Sequence, residues 1–153
     1  MGGRRFLSGR FRISPKIQTQ IYLDTIGYAL ALLGDWEQGC ALIQRALKLN
    51  PYNRAYNYYI LYWDWLRQKE YEKAYMETLN FRLPSLFWDP LLRAVILGHL
   101  GRLKEGNRNV EEILKLKPDF PARGRSLIKH FIKSDELVED HIEGLKKSGL
   151  DLT

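Results

Sequence analysis

Two stretches of the chain end one helix and begin the next in nearly the same way. One runs LLGDWEQGCALIQRALKLNP over 32–51, and the other runs LGRLKEGNRNVEEILKLKP over 100–118. Each contains Leu-Gly, a bulky apolar residue two positions after the glycine, a second glycine, a helical pattern and a closing proline. Proline cannot donate the next helical hydrogen bond, so it ends each unit. A repeated unit of this kind predicts a fold made of stacked helix pairs.

Start and stop signals along the chain predict eight helices. Ser14-Pro15 combines a capping hydroxyl with a proline at the first helical position. Gly34 ends that helix, Asp35 caps the next one, and Ser134 caps the last one. No segment shows the sustained alternation of apolar and polar residues that is typical of a half-buried strand. The predicted helices cover about 15–33, 35–49, 53–67, 70–82, 90–100, 102–116, 121–132 and 134–147.

These helices are expected to pair and to stack in one line. Each pair has an apolar face that it cannot bury alone, and the next pair removes that face from water. We therefore predict an all-α fold, an α-α superhelix of about three helix pairs followed by two helices, the last of which caps the stack. The predicted divisions are a flexible basic tail over 1–14, three helical hairpins within 15–118 (about 20–51, 55–87 and 87–118) and a C-terminal helical cap over 119–153.

The repeated unit resembles the tetratricopeptide repeat, whose pattern places a bulky residue, Leu-Gly, Tyr, Ala, an aromatic residue and a closing proline in a fixed order. The second unit departs from the pattern at Tyr62, where a small residue is expected, and it lacks the closing proline. The matching positions are Leu23, Ile26, Gly27, Leu30, Gly39, Ile43, Ala46 and Pro51, then Tyr58, Leu61, Trp65, Ala74, Thr78 and Phe81, then Pro90, Ala94, Leu97, Gly101, Gly106, Val110, Ile113 and Pro118. The resemblance implies a superhelical scaffold that binds proteins or peptides.

The stretch from about residue 21 to 152 also resembles the repeat tail of certain bacterial multidomain signalling proteins. The segments that carry this second resemblance include FRLPSLFWDPLLRAVILGHLGRLKEG, LKPDF and DELVEDHIEGLKKSGL. In those proteins the tail follows a class III adenylate/guanylate cyclase domain or a DNA-binding winged-helix domain, and it serves in sensing or interaction. The resemblance implies a regulatory or interaction module. It carries over no catalytic residue, because the sequence shows no cyclase domain.

In tetratricopeptide repeats the first helix of each pair lines a concave groove, and the corresponding positions here form a candidate peptide site. Aromatic side chains with a polar tip suit such a groove, because they offer a large contact area at little cost in rotamer entropy. Alternatively, these aromatic residues pack on the last two helices or on an upstream domain. The carboxylate of Asp24 would repel the C-terminal carboxylate of a chaperone tail in this groove. We therefore expect no binding of acidic chaperone tails. The candidate groove residues are Asp24, Tyr28, Tyr56, Tyr59, Trp63, Leu91, Val95 and His99.

The sequence offers little support for catalysis. The single cysteine, Cys40, lies on the apolar side of a predicted helix, so we expect a buried thiol rather than a nucleophile. His99, His130 and His141 are far apart in the chain, and no glycine-rich phosphate loop is present. His141 is expected to interact with the dipole near the end of the last helix. We therefore expect no enzymatic activity, no cofactor and no metal.

The net charge of +6 is concentrated at the N-terminus. Residues 1–20 hold five basic and no acidic residues, so the rest of the chain has 19 basic against 18 acidic residues. Nucleic-acid contact through this basic tail is therefore the least favoured function. No apolar run approaches the roughly 18 residues of a membrane span. No targeting segment is found, so we expect a cytoplasmic protein without a membrane partner.

The two ends of the predicted stack differ. The last helix has an apolar face at Leu137, Val138 and Leu145 that suits a cap, but no helix obviously covers the first helix, 22–33. That open end could dock an upstream domain or a second copy of the chain. A homodimerising structural module without a peptide ligand is therefore the main alternative to protein or peptide binding.

Overall fold

Every regular element that the structure describes is an α-helix. The computed structural model describes residues 13–50 and 56–152, and within these ranges it contains eight helices and no strand, which confirms the predicted all-α class. None of these helices is both long and apolar enough to cross a membrane. The basic tail predicted for 1–14 lies outside the described residues, except for Ile13 and Ser14. The helices are α1 (Pro15–Leu32), α2 (Trp36–Leu49), α3 (Asn57–Arg67), α4 (Tyr71–Thr78), α5 (Trp88–His99), α6 (Leu103–Leu116), α7 (Phe120–Phe131) and α8 (Asp135–Lys147).

Several helices begin at the predicted capping residues. The Ser14 hydroxyl accepts a hydrogen bond from the backbone N–H of Ile17 at 3.4 Å. Asp35 and Ser134 cap α2 and α8 in the same way. A cap satisfies one of the free N–H groups in the first turn, and the signal is local in the sequence. This is why these three starts could be predicted.

Helix α4 is shorter than predicted, ending at Thr78 rather than near residue 82. The Thr78 hydroxyl donates to the backbone carbonyl of Tyr75 at 2.7 Å. The next three backbone N–H groups bond to carbonyls three residues earlier, which tightens the end of the helix. Residues 79–87 then connect α4 to α5. Asp89 on α5 holds this connection, because its Oδ2 accepts the backbone N–H of Leu83 at 2.8 Å.

Consecutive helices pack as pairs. Helix α1 packs on α2, α3 on α4 and α5 on α6, while α2 against α3 and α4 against α5 join the pairs. In the first pair the backbones approach closely at two glycines. A Cβ on Gly39 would lie 2.6 Å from the backbone nitrogen of Ala31, and a Cβ on Gly27 would lie 2.9 Å from the carbonyl oxygen of Gly39. The small residues in the repeat therefore allow the two helices to cross.

Helix α8 lies along α5 and also contacts α3. Its predicted apolar face is buried, including Leu137, Val138 and Leu145. Helix α7 leads to it and places Phe131 edge-to-face against Trp88, with ring centroids 5.2 Å apart. The last helix thus covers part of the face that α3 and α5 share. It contacts α6, the last helix of the third pair, much less.

Candidate functional site

Helix α8 lies across the face of α3 and α5, where the sequence predicted a groove. The indole Nε1 of Trp63 on α3 donates a hydrogen bond to Nε2 of His141 on α8 at 3.0 Å. The Ser148 hydroxyl, directly after α8, donates to the backbone carbonyl of Ala94 on α5 at 2.6 Å. The chain itself fills this part of the face, in agreement with the alternative that the aromatic residues pack on the last two helices.

The contact between α5 and α8 is a close approach of two backbones. A Cβ on Gly98 would lie 2.1 Å from the carbonyl oxygen of Gly144, and a Cβ on Gly144 would lie 2.4 Å from the carbonyl oxygen of Val95. Real Cβ atoms do not approach carbonyl oxygens this closely, so both positions require glycine while the helices keep this spacing. Gly144 therefore fixes where α8 lies on α5.

Asp140 is the polar centre of the contact around α8. Both oxygens of its carboxylate accept hydrogen bonds from Lys69 Nζ, each at a distance of 2.6 Å. Its backbone carbonyl lies 2.8 Å from Nε2 of His99 on α5. The His99 ring in turn stacks on Tyr71 with a centroid distance of 4.7 Å. One residue of α8 is thus bonded to the turn after α3 and to the end of α5.

His141 is completely buried, and its predicted interaction with the helix dipole is wrong. Because the Trp63 indole donates to Nε2, the neutral ring carries its proton on Nδ1, which lies 2.6 Å from the carbonyl oxygen of Leu137. Burial lowers the pKa of His141 to about 4. An uncharged imidazole has no charge to place against a helix dipole, and its role here is that of a buried hydrogen-bond acceptor.

The structure buries five of the eight candidate groove residues, which therefore do not form an open wall. Asp24 is an example, because its carboxylate accepts the side-chain N–H of Asn57 at 2.6 Å and so connects α1 to α3. The buried candidates are Asp24, Tyr59, Trp63, Leu91 and Val95, and the half-buried ones are Tyr28, Tyr56 and His99.

An aromatic pocket of about 350 Å³ remains beside the part of the face that α8 covers. It lies between α1, α3, the 79–87 connection, the start of α5 and the end of α7. The Trp63 and Trp88 rings meet edge-to-face at 6.3 Å, and the Tyr28 and Tyr56 rings do so at 5.9 Å. Four of the predicted groove residues line this pocket, namely Tyr28, Tyr56, Tyr59 and Trp63. The residues that define the aromatic pocket are Tyr28, Tyr56, Tyr59, Trp63, Leu83, Leu86, Phe87, Trp88 and Phe131.

A hydrogen-bonded pair supports one wall of the aromatic pocket. The Tyr59 hydroxyl donates to Oδ1 of Asp89, which is buried and whose Oδ2 accepts the backbone N–H of Leu83. Burial, together with the bond to Asp89, raises the pKa of Tyr59 well above its ordinary value. Tyr59 therefore remains a protonated donor. In the sequence Asp89 directly precedes Pro90, at the start of the predicted fifth helix, and nothing near it in the chain indicates this bond.

A second hollow of about 350 Å³ adjoins the aromatic pocket, because both include Tyr28 and Tyr56. Asp24 and Thr25 complete its lining among the described residues. Burial raises the pKa of Tyr28, so its phenol also remains protonated at neutral pH. Carboxylate and hydroxyl groups thus lie at one end of an otherwise apolar site.

The single cysteine, Cys40, is buried and forms no disulfide. Burial, with a smaller contribution from Asp64, raises the pKa of the Cys40 thiol to about 12. A thiol that stays protonated is a poor nucleophile, which agrees with the predicted structural role. Within 13–50 and 56–152, no group of three or more His, Cys, Asp or Glu side chains is placed to hold a metal ion.

The sequence interpretation missed the residues that hold α8 in place: Lys69, Gly98, Asp140, Gly144 and Ser148. One signal was available, because Gly144 interrupts an otherwise good helix-forming segment. A glycine inside a helix is unfavourable by about 1 kcal/mol relative to alanine and often indicates close packing. The partner on α5 could not be identified from that signal alone.

Comparison with models of known protein families and with curated proteins gave no match to this chain. The function of the aromatic pocket must therefore be inferred from its geometry and its chemistry.

Proposed function

We propose that this chain is a non-catalytic protein-interaction module of the tetratricopeptide type, and that it binds a short apolar segment of a partner protein in the aromatic pocket. Three consecutive helix pairs joined in order support this type, as do the close glycine contacts between α1 and α2. In the proposed arrangement the pairs stack as a superhelix, with α1, α3 and α5 on one face.

The aromatic pocket is the observation that carries the proposal. Among the described residues nine line the pocket and seven of these are aromatic, and the surface that they expose inside it is almost entirely apolar. Its volume of about 350 Å³ lies near the lower limit of the roughly 300–1,000 Å³ typical of ligand pockets. A site of this size suits one or two large side chains better than a long helix. Rigid aromatic walls lose little entropy when such a side chain enters.

The position of α8 agrees with a short ligand. Since α8 already covers the face at Trp63, Val95 and Gly98, a peptide has no continuous groove along α3 and α5. Among the described residues, the segment beside Tyr28 and Phe131 lines an accessible pocket. The proposed ligand therefore inserts an anchoring side chain instead of lying along the whole face. In the signalling proteins whose tails this chain resembles, such a module would recruit or sense a partner.

Nuclear magnetic resonance can test the pocket directly, because two of the four tryptophans line it. The probes are pentapeptides Ala-Ala-X-Ala-Ala in which X is Leu, Phe, Trp or Asp. Peptides with an apolar X should shift the indole N–H signals of Trp63 and Trp88 and leave those of Trp36 and Trp65 in place. The Asp peptide should shift none of them, because a carboxylate gains nothing from an apolar cavity.

Variants at the accessible rim provide the control. Phe131 and Leu86 are both exposed in part, so Phe131→Ser and Leu86→Ser should weaken the apolar peptides without unfolding the chain. Leu103→Ser changes a similarly exposed leucine on α6 and should have no effect. Equal shifts at all four indoles, or equal binding by the Phe131 and Leu103 variants, would argue against the proposed site.

A further inference from the structure

Helix α1 presents an apolar stripe to solvent on the side opposite its packed face. Tyr22 is 68% exposed, Ile26 is 48% exposed and Leu33 at the end of the helix is 83% exposed. Ala29 is also exposed and completes the stripe. Large apolar side chains exposed singly are ordinary, but a contiguous set on one helix face is typical of an interaction surface. We call Tyr22, Ile26, Ala29 and Leu33 the outer stripe.

The outer stripe has the spacing of a helix-packing seam. Its members follow one another at intervals of four, three and four residues, which is the heptad spacing that brings two helices together. The buried stripe of α1 has the same spacing and packs on the rest of the protein. Its members are Gln20, Asp24, Gly27 and Ala31. Helix α1 is therefore patterned for packing on two opposite sides, and in the described ranges it packs on one.

The outer stripe is also free of charge. The only charged residues of α1 are Lys16 and Asp24, and the Asp24 carboxylate is buried on the opposite side against Asn57. Two chains that each carry a net charge of +6 repel at long range. At this stripe, however, two copies would bring no like charges together. An uncharged surface offers no electrostatic basis for selecting a different, oppositely charged partner.

We propose that the outer stripe binds the same stripe of a second copy, with the two α1 helices antiparallel around a two-fold axis. The spacing is symmetric about the middle of the stripe, between residues 27 and 28. An antiparallel pair therefore places Tyr22 opposite Leu33 of the second copy and Ile26 opposite Ala29 of the second copy. The large Ile26 meets the small Ala29, so the two surfaces complement each other. Such a contact is isologous and closes at two chains.

The predicted dimer is weak. Helix α1 has 18 residues and is about 27 Å long. One helix pair of this length buries less than the roughly 1,200–2,000 Å² of a standard stable interface. We therefore expect a dissociation constant of about 10–100 μM, in the range of transient complexes. The proposal does not involve the aromatic pocket, and Phe131→Ser should leave the dimer intact.

Sedimentation velocity of the full chain over about 5–300 μM tests the proposal across the expected dissociation constant. The wild type should change from monomer to dimer. The variants Ile26→Lys and Ala29→Glu should each remain monomeric, because a symmetric dimer of either variant would bury two unpaired charges. An equimolar mixture of these two variants should restore a dimer, since the introduced lysine of one chain would face the introduced glutamate of the other. Met76→Lys, at an exposed position on α4, is the matched control and should dimerise normally.

The restored heterodimer distinguishes an antiparallel pair from a parallel pair and from unfolding of the variants. Unfolding of a variant would not be repaired by mixing, and circular dichroism of each variant monitors the helices separately. A parallel pair would place Ile26 opposite Ile26, so mixing would not restore it. A wild type that is monomeric at every concentration would overturn the proposal. A mixture that stays monomeric would overturn the antiparallel pairing.

Discussion

Lys69 Nζ lies 2.6 Å from both carboxylate oxygens of Asp140, and this contact joins the turn after α3 to helix α8. Lys69 is the only non-glycine residue with a positive φ in the described ranges, at 61°. Gly34 and Gly101 occupy the same place in the turns after α1 and α5, with φ of 103° and 71°. In all three turns the next backbone N–H bonds to the carbonyl five residues earlier. A lysine therefore stands where the other two turns have glycine, and its side chain reaches α8.

Replacing Lys69 by glycine should reveal two opposing effects. Glycine removes a left-handed backbone strain of about 1 kcal/mol but also removes the ion pair with Asp140. In the wild type the two changes should nearly cancel, because partly exposed ion pairs contribute about 1 kcal/mol or less. In an Asp140→Ala background, Lys69→Gly should instead raise the free energy of unfolding by about 1 kcal/mol. Urea unfolding of the four proteins of this cycle measures the difference. An identical effect of Lys69→Gly in both backgrounds would contradict the assigned role of Asp140.

Helix positions were predictable because their signals are local. Ser14, Asp35 and Ser134 are caps, and Gly34 and Gly101 end helices with a backbone that glycine adopts most easily. The end of α4 was less predictable. There the chain leaves the helix at Thr78, and the connection is held by Asp89, eleven residues later, through Leu83. A tertiary contact of this kind leaves no pattern within the α4 segment.

The state of the candidate groove could not be predicted from the repeats alone. Four of the predicted residues, Tyr28, Tyr56, Tyr59 and Trp63, line one aromatic pocket, because they recur at helical spacing along α1 and α3 or directly precede α3. What covers the rest of the face is determined by contacts between distant parts of the chain. The Trp63–His141 hydrogen bond spans 78 positions, and periodicity within α8 indicates a buried side but not the surface that buries it.

His141 should make the stability of the protein depend on pH. Its pKa is about 4 in the folded protein, mainly because of burial, whereas an unfolded histidine titrates near 6.5. The unfolded chain therefore binds a proton between these values and the folded chain does not. The free energy of unfolding should fall as the pH decreases from about 6.5 to 4, by about 3 kcal/mol in total, and this contribution should level off below pH 4.

Chemical denaturation of the wild type and of His141→Leu across this pH range isolates the effect. The variant is expected to be less stable at pH 7, because the Trp63 indole N–H loses its acceptor in a buried site. Its stability should nevertheless depend less on pH between 4 and 6.5. If the free energies of unfolding of the two proteins changed with pH in parallel, His141 would bind a proton in the folded protein as readily as in the unfolded chain. That result would contradict its hydrogen bonds to Trp63 and Leu137.

Tyr59→Phe should destabilise the protein by about 1–3 kcal/mol, although it removes a single oxygen atom. The loss leaves Oδ1 of Asp89 without its hydroxyl donor in a buried site. Tyr22→Phe is the control, because Tyr22 lies on α1 and is 68% exposed to solvent. Thermal or urea unfolding provides the comparison. A cost at Tyr59 no larger than at Tyr22 would mean that the bond to Asp89 contributes little.

Gly144→Ala should loosen α8 from the face of α3 and α5. Alanine is the better helix former by about 1 kcal/mol, so the substitution would stabilise an unpacked helix. Here, however, its Cβ would meet the carbonyl oxygen of Val95 at 2.4 Å, and the backbones must separate. We expect a net loss of about 1–3 kcal/mol. Glu143→Ala, one position earlier on the exposed side of α8, should leave stability almost unchanged. Hydrogen exchange can locate the effect, since α8 amides should lose protection while those of α1 and α2 keep it. Uniform loss of protection would instead mean that α8 and the helix pairs unfold as one cooperative unit.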